Sequence, residues 1–229
     1  MREIVASKSK SFVNRALILA SYQSDRNLLA LEPYCTNTDT QELFQSLLKL
    51  KNQETSFFIS EGATPFHFLV ARLSREVGEF RITTHETLAR SRPHESLFSA
   101  LRELGCDISL IDQTYTLKSN GWGKRESPIS VDCTLSSQYA SALALNSYPF
   151  DYNDFFCFKN LSQSYFQMTL EAIKKSSDLL QILETDMSSA FSLVATLIWK
   201  EDFILKNIPM ESLQPDIIYI EIMQTMAFS

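Results

Sequence analysis

The sequence predicts an α/β fold with helices packed on sheets. Three observations carry that expectation. Short runs rich in β-formers alternate with helix-forming runs along the 229 residues. The composition, 45% hydrophobic and 21% charged, is that of a globular chain long enough for one large domain or two smaller ones. No low-complexity linker interrupts it.

The elements follow in order. Asn14 to Tyr22 forms a helix through Ala16, Leu17, Leu19 and Ala20, with Ser9 or Ser11 as its cap. Thr38 and Asp39 cap a second helix, where Leu43, Phe44, Leu47 and Leu48 line one face. SFFIS (56–60) is a strand, EGATPFHFLVARLS (61–74) a turn and helix, and EFRITT (79–84) a strand. Pro93 opens a helix with Leu97, Leu101 and Leu104 on one face and Gly105 at its end. CDISLID and TYTLKS form a hairpin. SPISVDCT is a strand, SSQYASALALNS a helix, DFFCFKN a strand and SYFQMTLEAIKKSS a helix. The tail adds a helix (SSAFSLVATLIW), a strand (DFILKN) and a helix (QPDIIYIEIMQTM). A domain boundary is expected in the weak stretch around 174–184, dividing residues 1–178 from 179–229.

Composition excludes several classes. The formal net charge of -6 argues against a general nucleic-acid binder. The N-terminus is polar without an apolar signal core, and the apolar run from Phe191 to Trp199 is too short for a bilayer. A cytoplasmic protein that binds neither nucleic acid nor membrane is expected. Cys35, Cys106, Cys133 and Cys157 include no CxxC pair, and His67, His85 and His94 are scattered, so neither a disulfide framework nor a zinc site is expected. Only 5 glycines occur, few for a protein that cradles phosphates with glycine loops.

One detail recurs. Lys10-Ser11, Arg92-Pro93 and Ser136-Ser137-Gln138 sit at the mouths of helices. Helix N-termini offer free backbone donors and partial positive charge, so hydroxyls and cations there can bind an anion. A serine at a helix start is ordinarily a cap, and spacing alone does not separate the two roles.

SKSFVNRALILASY (9–22) resembles the N-terminal signature of the enolpyruvyl transferase family, in its shikimate branch of enolpyruvylshikimate-phosphate synthases. RPHESLFSALRELGCDI (92–108), VDCTLSSQYASALAL (131–145) and SQSYFQMTLEAIKK (162–175) resemble further family segments in the same order. TDMSSAFSLVATLI (185–198) and QPDIIYIEIMQ (214–224) match two more, less closely. The resemblance implies repeated βαβαββ units, with one nearly complete domain followed by part of a second. It implies transfer of the enolpyruvyl group of phosphoenolpyruvate to shikimate-3-phosphate, in aromatic amino-acid biosynthesis, without metal or organic cofactor. The alternative is a relative that only binds shikimate-3-phosphate or another small phosphate, or a structural remnant.

Carried over by residue, the resemblance makes Lys10 a contact of both substrates and, with Asp216 as candidate base, a catalytic residue. Ser11, Arg15, Ser136, Ser137, Gln138, Ser162, Tyr165 and Asp216 become shikimate-3-phosphate contacts. Arg92, Gln138 and Ala63 fall with Lys10 on the phosphoenolpyruvate side. The departures are specific. Ala63 stands at a family glycine, Glu61 at an asparagine and His67 at an arginine; of a pair of acids Asp39 remains beside Thr38. Weak phosphoenolpyruvate affinity is expected, because Ala63 crowds the slot and Glu61 brings in negative charge. The later acids and cations of the family's second domain have no counterparts. Leu193, Val194, Leu197, Ile198 and Trp199, with Ile217, Ile218, Ile220 and Ile222, then need a cover. Either the tail folds back on the first domain or residues 186–229 form a homodimer.

Overall fold

A computed structural model describes residues 2–91, 94–197, 203–209, 211–219 and 222. In chain order these form β1 (Arg2–Val5), α1 (Lys10–Ser21), α2 (Asp25–Leu29), α3 (Thr38–Lys51), β2 (Ser56–Ile59), α4 (Ala63–Leu73) and β3 (Val77–Thr84). Next come α5 (Glu86–Ser91), α6 (Glu95–Glu103), β4 (Asp107–Ile111), β5 (Thr114–Asn120), β6 (Ile129–Asp132), α7 (Gln138–Ser147) and β7 (Phe156–Lys159). The chain continues with α8 (Gln163–Lys174), α9 (Met187–Leu197) and β8 (Phe203–Lys206).

The strands make three small sheets. β2-β3-β5-β4 is the largest, with β2 parallel to β3 and the rest antiparallel. The β4–β5 hairpin turns at Asp112, whose φ of 55° suits a short polar residue. β2, α4, β3, α6, β4 and β5 thus complete one βαβαββ unit, with α5 as an extra turn. β6 and β7 pair in parallel around α7, and α8 follows.

Burial explains the layering. In β3 the residues at 80, 82 and 84 are buried while those between are exposed, the pattern of a sheet with one wet face. α1 is buried from Phe12 through Ser21, α4 from Pro65 through Leu73, and α7 from Tyr139 through Ser147. Helices buried on every side form the inside of the core. These three pack against one another, α3 and α8 lie beside α1, and the sheets lie outside. Each large apolar side chain so buried contributes roughly 1.5–3 kcal/mol. The inner helices therefore present their N-terminal ends, not their sides, to solvent.

Several expectations change in detail. The first helix starts at Lys10, because the Ser9 carbonyl already accepts from Phe12 and Val13 at 3.1 and 2.9 Å. Asn37, not Thr38 or Asp39, caps α3: its side chain accepts from the Thr40 amide at 3.1 Å. α2 and α5 are additional helices. Pro93 lies outside the described residues, and α6 begins at Glu95. In the last predicted helix, a 3-10 turn (Pro215–Ile217) leads into helical residues 218 and 219, and 222 is helical as well.

The tail folds back on the start of the chain. β1 and β8 pair in parallel, Arg2 opposite Phe203 through Val5 opposite Lys206. The Ser9 amide donates to the Glu184 carbonyl at 2.9 Å and the Asp186 amide to the Ser7 carbonyl at 2.8 Å. Residues 2–9 thereby hold the second segment across the boundary drawn after 178. Ile198, Trp199 and Ile220 lie outside the described residues. No helix among the described residues is long and apolar enough to cross a membrane.

Candidate functional site

The exposed starts of α1, α7 and α8 meet at a cavity of about 520 Å³. Lys10, Ser11 and Arg15 line it from α1, Ser136, Ser137 and Gln138 from the start of α7, and Ser162 and Tyr165 from the start of α8. Two cations and a ring of hydroxyls therefore face the space, and none of its described lining residues is a carboxylate. Ser136 Oγ accepts from the Gln138 amide at 3.2 Å, while neither Ser137 nor Ser162, each at a cap position, makes a side-chain capping bond. A serine that does not cap leaves its hydroxyl available to a ligand. Asp132, whose pKa is lowered by hydrogen bonds from Thr134 and Asn160, accepts from both beside the approach to α7.

Arg15 has a larger task than ligand contact. Its side chain is buried, and its donors go to Thr169 Oγ1 at 2.9 Å, the Ser11 carbonyl at 2.7 Å, the Tyr165 carbonyl at 2.7 Å and Ser141 Oγ at 3.4 Å. A guanidinium has five N–H donors, and these bonds use all but one. Burial lowers its pKa to about 10, still far above neutrality. Arg15 therefore clamps α1, α7 and α8 and supplies fixed positive charge behind the cavity.

A second cavity of about 690 Å³ adjoins the first and shares Lys10, Ser11 and Tyr165 with it. Its charged lining is Lys10 with Asp39, Asp186 and Asp216. Lys10 Nζ donates to Asp39 Oδ2 at 3.1 Å. Asp216 accepts from Ser188 Oγ. Asp186 accepts from the Ser188 amide at 3.2 Å and from Ser189 Oγ at 3.0 Å, capping α9. Asp39 sits close because residue 62 is glycine: a Cβ there would meet Asp39 Oδ1 at 2.7 Å.

The expected residues thus divide. Lys10, Ser11, Arg15, Ser136, Ser137, Gln138, Ser162 and Tyr165 come together, and Asp216 lies across Lys10 from them. Arg92 lies outside the described residues. Ala63 packs against the hydrophobic core and lines neither cavity. Glu61 turns away too, accepting from Thr87 Oγ1 at 3.3 Å and lying 3.7 Å from His85 Nδ1. His67 is buried, with Nδ1 2.9 Å from Gln138 Oε1. Asp186, Ser188 and Gln214 were not among the expected site residues, although TDMSSA holds two of them and repeats the hydroxyl-rich helix start seen elsewhere. Among the described residues no group of His, Cys, Asp and Glu is placed to hold a metal ion.

A family model described as EPSP synthase (3-phosphoshikimate 1-carboxyvinyltransferase) matches residues 2–177. The 3-phosphoshikimate 1-carboxyvinyltransferase of Bacteroides fragilis (strain YCH46) is 34% identical over 139 residues, covering 60% of this chain and 32% of that protein. That of Vibrio atlanticus is 27% identical over 171 residues, covering 62% and 39%. A solved EPSP synthase from Acinetobacter baumannii aligns with 63% of this chain and 37% of that one, at 15% identity and a TM-score of 0.43. The chain thus spans between 32% and 39% of the length of these two curated relatives. With its family match running through the helix starts that build the cationic cavity, this chain belongs to the EPSP synthase family.

Proposed function

We propose that the cationic cavity binds shikimate-3-phosphate, and that the chain takes part in enolpyruvyl transfer from phosphoenolpyruvate to that substrate. The observation that carries the reading is the convergence of Lys10, Arg15 and uncapped serine hydroxyls on one space without a lining carboxylate. Charge-assisted hydrogen bonds to a phosphate are short and strong, and hydroxyls supply them without competing charge. Asp216, beyond Lys10, accepts the proton of the attacking hydroxyl, and Lys10 offsets the charge that develops between the two substrates. Gln138, Ser162 and Tyr165 orient the ring and its phosphate. Arg92 serves phosphoenolpyruvate in this reading. Residues 1–178 form the phosphate-binding domain and 179–229 part of a second.

Calorimetry with shikimate-3-phosphate, followed by a phosphate-release assay with both substrates, tests the proposal. Asp216→Asn is expected to keep affinity within a few-fold and to lower turnover by about 10²–10⁴-fold. Absence of binding at millimolar shikimate-3-phosphate overturns the site. A second reading is a protein that binds the phosphate without turnover. It is favoured by Arg15, most of whose donors are spent inside, and by His67, buried where the family resemblance has an arginine. Binding without phosphate release decides for it.

Pairing of β8 with β1 leaves apolar side chains of the tail exposed, so fold-back and self-association through residues 186–229 combine in the proposal. Val5, Ile204, Ile218 and Ile222 are 63%, 43%, 53% and 44% exposed. A dimer in sedimentation that becomes a monomer on Ile204→Glu supports it; a monomer at tens of micromolar overturns it. All four cysteines are free, as suits the reducing cytoplasm in which we place this chain.

A further inference from the structure

A buried chain of four groups runs behind the cationic cavity. Gln138 Oε1 lies 2.9 Å from His67 Nδ1, His67 Nε2 lies 2.8 Å from His94 Nδ1, and His94 Nε2 lies 3.1 Å from the Leu88 carbonyl. His67 and His94 are 2% and 6% exposed, whereas Gln138 is half-buried and lines the cavity.

Counting protons separates two arrangements of this chain. The Leu88 carbonyl only accepts, so His94 Nε2 carries a hydrogen. With the Gln138 carbonyl oxygen turned toward it, His67 Nδ1 carries one as well. The contact between the two rings needs one more. Two neutral imidazoles hold two such hydrogens, so three make the pair a shared monocation. When that proton leaves to solvent, His94 keeps its bond to Leu88 and His67 Nε2 donates to His94. His67 Nδ1 is then an acceptor, and the Gln138 carboxamide must turn over to donate to it. That turn exchanges NH₂ for C=O at the cavity.

We propose that His67 and His94 are positioning residues that set, through one shared proton, which end of the Gln138 carboxamide faces the cavity. With the pair charged, Gln138 offers N–H donors to an anion; with the pair neutral, it offers a carbonyl oxygen that repels one. The inference rests on reading the cavity as an anion site.

Several described groups face the pair. Tyr139 from α7 and Tyr115 from β5 lie 5.2 and 5.9 Å from His67 and His94 respectively, between ring centroids, and burial raises both. Burial pushes Cys133 up to about 11 and brings Arg15 down to about 10, so neither titrates between pH 5.5 and 8.5. Glu95 and Arg102 share a shallow cleft with His94 and pair with each other at 2.7 Å, and the cleft gives His94 a route for proton exchange. Arg92, two residues before His94, lies outside the described residues.

The test uses sulfate, whose charge is constant over this range, on a His85→Gln background that removes the remaining histidine. Sulfate affinity is measured by calorimetry from pH 5.5 to 8.5, alongside ¹⁵N shifts of the two imidazoles. Affinity is expected to fall about tenfold as the pair loses its proton, the loss expected when a donor to an anion becomes an acceptor. The fall is expected to shrink to less than about threefold in Gln138→Met, and the rings are expected to titrate together as one proton. His67→Gln is expected to give a flat profile. If that buried variant fails to fold, Gln138→Met still decides the matter. A flat wild-type profile, an equal fall in Gln138→Met, or imidazole shifts that stay neutral throughout overturns the proposal. Failure of sulfate to bind at any pH removes the anion-site reading instead. In that case joint titration of the rings, moving the Gln138 side-chain amide resonances, keeps the relay, and separate titration overturns it.

Discussion

The two cavities that meet at Lys10 are built from the same kind of parts and differ in charge. Both are lined by helix starts rich in serine. The smaller gathers Lys10 and Arg15 with no described carboxylate, whereas the larger sets Asp39, Asp186 and Asp216 against Lys10 alone. The free donors of a helix start are therefore only a common background. Which side chains share the space decides whether an anion is welcome. Lys10 stands at the division and is tied to the acidic side by Asp39.

The largest expected effect comes from breaking the cationic wall at Arg15. Arg15→Ala strips donors from two carbonyls and two hydroxyls. Leaving buried acceptors unsatisfied costs about 1–3 kcal/mol each, so a loss of at least about 3 kcal/mol is expected in urea denaturation, together with loss of anion binding. A stability change under about 1 kcal/mol would mean that Arg15 is a ligand residue and not a clamp.

Removing hydroxyls separates binding from folding. Ser136→Ala with Ser137→Ala is expected to weaken shikimate-3-phosphate binding by about 1.5–3 kcal/mol per lost bond. Stability should fall by only about 1 kcal/mol, since Ser136 alone makes a local capping bond. Equal losses in both measurements would return these serines to the role of ordinary caps.

Smaller again is the effect of detaching Lys10 from the acidic cavity. Lys10 is 55% exposed and its pair with Asp39 is expected to contribute about 0–1 kcal/mol. Asp39→Asn should leave stability nearly unchanged and raise anion affinity a few-fold. A fall in affinity would show that Asp39 positions Lys10 instead of restraining it. The smallest effect concerns Cys133, which lines the cationic cavity but is buried and protonated at pH 8. Iodoacetamide at that pH should label the exposed Cys157 and spare Cys133.

How much of this the sequence disclosed depends on the range of the interaction. Strands such as SFFIS and EFRITT, and the 107–120 hairpin, follow from local alternation and appear close to their expected bounds. The start of α1 was misplaced because backbone bonds from Ser9 set it, while propensity marks only the apolar run that follows. Most of the cationic cavity was visible as repeated hydroxyl-rich helix starts. Its acidic neighbour was not, because Asp186 is separated from Lys10 and Asp39 by most of the chain. The histidine pair looked scattered for the same reason: 27 residues separate His67 from His94, and 71 separate it from Gln138. Packing of α4 and of the α6 start against α7 brings them together. Ala63 and Glu61 flank Gly62; Ala63 packs against the hydrophobic core and Glu61 lies near His85.

The central claim is that the cavity between the starts of α1, α7 and α8 takes the phosphate, and that the acidic cavity does not. Backbone amide shifts measured by NMR during titration with shikimate-3-phosphate test it directly. The account predicts the largest changes at Ser11 and at residues 136–139, smaller ones at 162–165, and little at 187–189. Changes centred instead on 187–189 and 214–216, or on the separate cleft of Arg75, Trp122 and Phe150, would contradict it.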